Sequence, residues 1–236
     1  MQYELHFVET IDSTNTALKA LARSGAPEGY VLTADRQPSG RGRMGRSFFS
    51  PAGAGLYTSI LLRPKTALPP ASLTCLCAVA AAETVRSYGR DCRIKWVNDL
   101  FLDARKVAGI LVEGALDPDG TYAYAVVGLG VNFALPQAVP PELSAVIGSV
   151  FDAPLSPSAR GAFLRAFLDR FGFWYDRLPE TGFLPTYRAL QTVFGRRVAF
   201  AGGVGMAESI DDRFRLIVRT QTGRVALERG EVTFLD

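Results

Sequence analysis

The sequence predicts an α+β protein: strands and amphipathic helices over residues 1–190, then a small β-barrel over residues 191–236. Three observations lead there. Apolar residues recur at helical spacing in separate stretches within the first part. Short β-type runs, such as 107–112 and 122–131, lie between them. Beyond residue 191, five short strand-like segments follow one another closely, separated by turn residues.

In chain order, residues 5–8 suggest a first strand. Asp12-Ser13-Thr14-Asn15 offers helix-capping side chains before Ala17, Leu18 and Leu21, and Gly25 supplies a stop. Residues 30–34 and 56–62 read as strands. Residues 71–88 carry Leu73, Leu76, Cys77, Ala80, Ala81 and Val85 at helical spacing and end at Gly89. Residues 93–96, 100–102 and 107–112 read as strands, with a turn at Asp103-Ala104-Arg105, and residues 122–131 as another. Ser156-Pro157 opens a helix, since proline suits the first helical position. Its apolar stripe is Phe163, Leu164, Phe167, Phe171, Trp174 and Leu178. The C-terminal segments are 197–200, 206–210, 214–218, 224–227 and 232–235, divided by Gly202-Gly203, Asp211-Asp212 and Thr222-Gly223.

Composition narrows the function. With 236 residues, 48% apolar and 21% charged, the chain can bury a core of domain size. A net charge of +3 does not make nucleic acid the default partner. The single histidine, His6, rules out any multi-histidine metal site, and its alternation with Leu5 and Phe7 near the first strand argues against Ser-His-Asp or Cys-His machinery. Cys75, Cys77 and Cys92 are odd in number, lack metal-ligand spacing and read as reduced core residues. No 18-residue apolar run and no signal-peptide pattern occur. A cytoplasmic location without membrane association is expected.

The densest local feature is Gly40-Arg41-Gly42-Arg43-Met44-Gly45-Arg46. Its glycines allow close backbone approach or positive φ. Its guanidinium groups suit carboxylate and phosphate. The segment also fits G-x-G-x-x-G, but a dinucleotide fingerprint follows a strand directly and opens a helix. Here Asp35-Arg36-Gln37-Pro38-Ser39 precedes it and a Gly/Pro-containing stretch follows. Taken alone, the loop is an anion-holding segment or a solvated basic loop.

A second dense segment runs from Lys95 to Glu113. Asn98-Asp99 places an amide and a carboxylate between strands, which a structural turn would also explain. Lys106 heads the otherwise apolar Val107-Ala108-Gly109-Ile110-Leu111-Val112, so its ammonium either enters a dry pocket or snorkels at an edge. Gly109 leaves room beside its strand, and Gly128-Leu129-Gly130-Val131-Asn132 repeats the device.

These pieces together resemble the biotin–protein ligases. They are Asp12-Ser13-Thr14-Asn15, Gln37 with the arginine–glycine loop, Lys95-Trp96-Val97-Asn98-Asp99, Arg105 to Glu113, and Gly128 to Asn132. They stand in the family's order and cover residues 12–132. The chain departs from the family at Val97, where proline is usual, and at Phe48, where tryptophan is common. The resemblance implies a mixed β-sheet catalytic domain of class II synthetase type with flanking helices, plus the C-terminal barrel. It implies formation of biotinyl-5′-AMP from biotin and ATP, then transfer to a lysine of a biotin carboxyl carrier domain.

Lys106 and Arg43 are then the expected catalytic groups. Ser13, Thr14, Asn15, Gln37, Gly40, Arg41, Gly42, Arg43, Lys106, Gly109, Gly128 and Gly130 are expected at biotin. Arg43, Arg46, Phe48, Asn98, Asp99, Lys106 and Asn132 are expected at the nucleotide, with Mg²⁺ near Asp99. The glycines would make room for biotin, and the arginines would neutralise the reacting anions. The motifs begin almost at residue 1, so a preceding helix-turn-helix repressor domain is not expected. The family contains both homodimers and monomers, and the resemblance is compatible with a homodimer. Two rival readings are a lipoate- or octanoate-transferring enzyme of related fold and a nucleic-acid-binding module.

Overall fold

A computed structural model describes residues 1–235. The first half builds β1 (Glu4–Thr10), α1 (Thr14–Arg23), β2 (Tyr30–Arg36), β3 (Gly55–Leu62), α2 (Ser72–Ser87), β4 (Arg93–Lys95), β5 (Asp99–Leu102), β6 (Arg105–Leu116) and β7 (Tyr122–Asn132). Helices α3 (Pro141–Ser144), α4 (Pro157–Tyr175) and α5 (Leu184–Ala189) follow. Strands β8 (Arg197–Phe200), β9 (Gly203–Ile210), β10 (Leu216–Thr220), β11 (Gly223–Leu227) and β12 (Thr233–Phe234) complete the chain. The expected α+β class is found.

Seven strands form one mixed sheet in the order β1-β2-β3-β7-β6-β5-β4. Only the β1–β2 pair is parallel. Alternate side chains of each strand face opposite sides. On one side, Ile60, Leu62, Val127 and Leu129 join the large core with α2 and α4. On the other, Leu61 and Val126 pack on Leu18 and Ala22 of α1. Strand β3 is covered on both sides, so all its residues are buried. Helix α2 is apolar nearly all round because it lies inside that core.

The second sheet is antiparallel, in the order β11-β10-β9-β8-β12. Its Val198, Ala207, Leu216 and Val218, with Val232 just before β12, belong to the same core as α2. The backbone near residue 191 is stitched to β4, with Ile94 N–H donating to Leu190 O (2.8 Å) and Thr192 N–H to Ile94 O (2.9 Å).

Two short helices were not expected, and one expected strand starts later than the sequence suggests. Helices α3 and α5 span four and six residues, too short for a helical period to stand out in sequence. The strand expected at 214–218 begins at Leu216 instead. Phe214 sits in a turn with φ of 63°, and its ring stacks on Phe183 with centroids 5.4 Å apart. A buried turn residue thus mimics the start of a strand. His6, on edge strand β1, pairs with Glu4 and stacks on Tyr30, a structural placement. Cys75, Cys77 and Cys92 are buried free thiols, and burial pushes Cys75 up to about 12. No helix among the described residues is long and apolar enough to cross a membrane.

Candidate active site

Sheet register lays the floor of the site. Across β3, β7 and β6, three rows of residues share the α1 side of the sheet. They are Leu61–Val126–Glu113, Ser59–Gly128–Leu111 and Tyr57–Gly130–Gly109, the last extended by Asp99 on β5. The first row holds large side chains beneath α1. Past the start of the helix the rows carry serine and glycine, and a cavity opens.

Helix α1 supplies one wall. Ser13 caps it, accepting from Thr16 N–H, and Ser13, Thr14 and Asn15 are all buried. Thr14 N–H donates to Gln37 Oε1 at 2.8 Å. Ser59 Oγ lies 2.7 Å from both Thr14 Oγ1 and Asn15 Oδ1. Asn15 Nδ2 donates to Leu111 O (3.2 Å) and Glu113 Oε2 (3.1 Å). One end of the cavity is therefore a well of oriented amides and hydroxyls.

Glu113 ties this well to the arginine–glycine loop. Its carboxylate also accepts from Lys19 Nζ at 2.5 Å and meets Arg41 at 3.3 Å. Burial alone raises its pKa, but bonds from Lys19 and Asn15 and the charges of Lys19 and Arg41 outweigh that and hold it below the usual carboxylate range.

The loop forms the roof. A 3-10 turn spans Arg43–Gly45, with positive φ at Met44 (56°) and Gly45 (77°). Of its glycines, only Gly45 uses positive φ. Gly40 is instead pressed against Ser50, whose Oγ would lie 2.7 Å from an added Cβ, so it serves loop packing and does not line the cavity. Arg43 donates to Asn98 Oδ1 (2.7 Å) and to Gly230 O (3.0 Å). Arg46 pairs with Glu231 at 2.7 Å. Hydrogen bonding to Arg46, against the opposing effect of burial, keeps the Glu231 carboxyl below its usual range.

Two adjoining cavities result, sharing Gly42, Arg43, Phe48, Asn98 and Lys106. The first runs inward to Thr14, Asn15, Gln37, Thr58 and Gly128. The second runs outward past Arg46, Lys95, Trp96, Asp99 and Glu231. At the junction Lys106 Nζ meets Asp99 Oδ1 at 2.7 Å, and Asn98 Nδ2 donates to the same oxygen at 3.0 Å. The Trp96–Val97 peptide bond is cis. Trp96 Nε1 donates to Phe214 O and the Tyr187 hydroxyl to Val97 O, anchoring this turn on the rest of the chain.

Most expected site residues converge here. Ser13, Thr14, Asn15, Gln37, Arg41, Gly42, Arg43, Phe48, Asn98, Lys106, Gly109, Gly128 and Gly130 line the first cavity, and Arg46 and Asp99 the second. Besides Gly40, four expectations need correction. A Cβ on Gly130 would lie 2.6 Å from Phe48 Cζ, and one on Gly128 would lie 2.9 Å from Asn15 Cγ. The strand glycines therefore make room for Phe48 and Asn15, protein groups rather than a ligand. The loop arginines all have protein acceptors and do not stand as open charges. Asn132 is buried, donates to Gly148 O at 3.0 Å and lines neither cavity. Asp99 is engaged by Lys106, and among the described residues no group of three or more His, Cys, Asp or Glu could hold a metal. The protein side chains do not fit a resident Mg²⁺.

Ser59, Glu113, Gly230 and Glu231 were not expected in these roles. Thr58-Ser59 inside an apolar run was the available signal for the serine. Glu231 had none, being 185 residues from Arg46.

A polar well at one end and a cluster of cations with their partners at the other, on a mixed sheet, have the form of an enzyme site. The chain belongs to the Biotin/lipoate A/B protein ligase family, whose sequence signature matches residues 7–132. It is 34% identical to the biotin–[acetyl-CoA-carboxylase] ligase of Paracoccus denitrificans, covering 94% of this chain and 97% of that protein. It is 32% identical to the bifunctional ligase/repressor BirA of Bacillus subtilis, covering 94% and 71% respectively. The structure of the biotin protein ligase from Aquifex aeolicus in complex with biotin and ATP superposes with a TM-score of 0.83 at 25% identity, covering 98% of each chain.

Proposed function

We propose that the chain is a biotin–protein ligase. It joins biotin to ATP as biotinyl-5′-AMP, releasing pyrophosphate, then passes the biotinyl group to a lysine of a biotin carboxyl carrier domain. One observation carries this reading: the polar well of Thr14, Asn15, Gln37 and Ser59 continues directly into the cationic junction at Lys106 and Arg43. A ureido head needs donors and acceptors at the closed end. The dithiolane of lipoate offers none, so it would gain no hydrogen bond from that well.

In the first step a biotin carboxylate oxygen attacks the α-phosphorus, and the bond to the β-phosphate bridging oxygen breaks. Two anions must approach each other, so a fixed cation between them stabilises the crowded phosphorus centre. Lys106 serves there, keeping Asp99 on one N–H and offering its remaining donors to the reacting oxygens. Arg43, held by neutral acceptors, turns toward the phosphate. In the second step the carrier lysine attacks the acyl carbon, AMP leaves, and the amine gives up its proton. The mixed anhydride is already activated, so no histidine is required. The arginine–glycine loop and Phe48 cover the anhydride and exclude water. Magnesium belongs to the ATP substrate, and no step depends on a protein-held ion.

The test is incubation of the purified chain with ATP, isotope-labelled biotin and a biotin carrier domain. Label on the carrier together with pyrophosphate release is expected. Activation of lipoate in place of biotin, or oligonucleotide binding without pyrophosphate release, would refute the reading.

A further inference from the structure

The outer cavity holds four cations, and three of them have polar partners. Arg43 has Asn98 and Gly230 O, Arg46 has Glu231, and Lys106 has Asp99. Lys95 is the exception. Among the described residues no carboxylate lies within 4.0 Å of its ammonium. Its neighbours are aromatic faces instead, Phe234 at 5.0 Å and Phe101 at 6.0 Å.

A half-buried ammonium without a strong acceptor has lost water and gained little in return. Burial accordingly shifts Lys95 below the usual lysine range. The charges of Asp99 and Glu231 pull it back up, while Lys106 and Arg196 push it down. Such a group gains from an incoming phosphate oxygen more than a cation already paired with a carboxylate does.

Its position is equally specific. Lys95 on β4 stands opposite Asp99 on β5 in the sheet register, and Asp99 is the partner of Lys106. The two lysines therefore flank one carboxylate, Lys106 at the junction with the inner cavity and Lys95 in the outer cavity only. A polyphosphate whose α-phosphate meets Lys106 would extend outward past Lys95.

We propose that Lys95 binds the β- and γ-phosphates of ATP and stabilises the departing pyrophosphate. This rests on the adenylate-forming reading above. The bond that breaks leaves its electron pair on the pyrophosphate oxygen, and the Lys95 ammonium offsets the charge gathering there.

The test separates the half-reactions. Biotin-dependent ATP–pyrophosphate exchange involves pyrophosphate, whereas single-turnover transfer from synthetic biotinyl-5′-AMP to a carrier domain does not. Lys95→Met is expected to slow exchange roughly 100-fold and raise KM for ATP about ten-fold, the scale of losing one fixed charge at a developing anion. Transfer from the preformed adenylate should stay within about two-fold, and Lys95→Arg should restore part of the exchange. Normal exchange in Lys95→Met, or an equal fall in exchange and transfer, would overturn the assignment. Absence of exchange in the unaltered enzyme would overturn the adenylate reading, and this assignment with it.

Discussion

The contact between Gly128 and Asn15 gives a quantitative test of how the polar well is built. An alanine methyl at 128 would lie 2.9 Å from Asn15 Cγ and 3.1 Å from its Nδ2, and would overlap Oδ1. Residue 128 lies within β7 without positive φ, so the backbone itself accepts alanine. The amide must leave, and it takes its bonds to Leu111 O, Glu113 and Ser59 with it. At about 1 kcal/mol for each neutral bond, and about 1.5–3 for the one to the carboxylate, Gly128→Ala should cost about 4 kcal/mol. In a chain of this size that lowers Tm by roughly 10 °C. Asn15→Ala loses the same bonds but vacates the space the methyl needs. The double variant should then match Asn15→Ala, so the coupling equals the whole cost of Gly128→Ala, about 4 kcal/mol, above the roughly 0.5–3 usual for residues in contact. Urea unfolding of the four proteins, followed by circular dichroism, measures the cycle. Additive losses would refute the claim that Gly128 is there to seat Asn15.

Three further outcomes are expected. Lys106→Ala should abolish biotin-dependent pyrophosphate release with Tm little changed; near-normal release would remove Lys106 from its role. Arg43→Gly frees Asn98 and the Gly230 carbonyl. The adenylate should then escape and label bystander proteins such as albumin, and unchanged retention would count against the loop as a cover. Glu113 has a depressed pKa, so its carboxylate stabilises the fold above its unfolded pKa and loses that contribution as pH falls through the folded value. Glu113→Gln should therefore melt below the parent near neutral pH and converge with it in acid; a pH-independent gap would refute the pairing with Lys19 and Arg41.

The first half of the site was legible because its residues break strong local patterns. Lys106 heads an apolar strand, glycines interrupt β6 and β7, and Ser13 caps a helix, so each departs visibly from what its element requires. What those departures accommodate was not legible. A glycine in a strand announces a vacancy, but whether a ligand, an asparagine or a phenylalanine fills it depends on sheet register and on loops distant in sequence. The same holds for the fold. Long helices with a repeating stripe were plain, whereas α5 was too short to show a period and Phe214 hid a turn behind an apolar ring. Gly230 and Glu231 sit in a short turn that says nothing locally about Arg43 and Arg46, because that contact exists only once the second sheet packs on the first.

The arginine partners also decide which of the three can change hands. Arg41 and Arg46 are matched to carboxylates, Glu113 and Glu231. Exchanging a carboxylate for a phosphate oxygen gains little, since one anion replaces another and an ion pair is lost for the one formed. Arg43 is held by an amide and a peptide carbonyl, both neutral. Exchanging these for phosphate replaces ordinary hydrogen bonds by charge-assisted ones, roughly twice as strong. Of three chemically identical side chains within six residues, Arg43 is thus the one expected to move to the substrate. Arg41 and Arg46 then serve as tethers, one to the polar well and one to the second sheet. The loop can therefore respond at its centre to an anion while its two ends report on the parts of the chain that bind it.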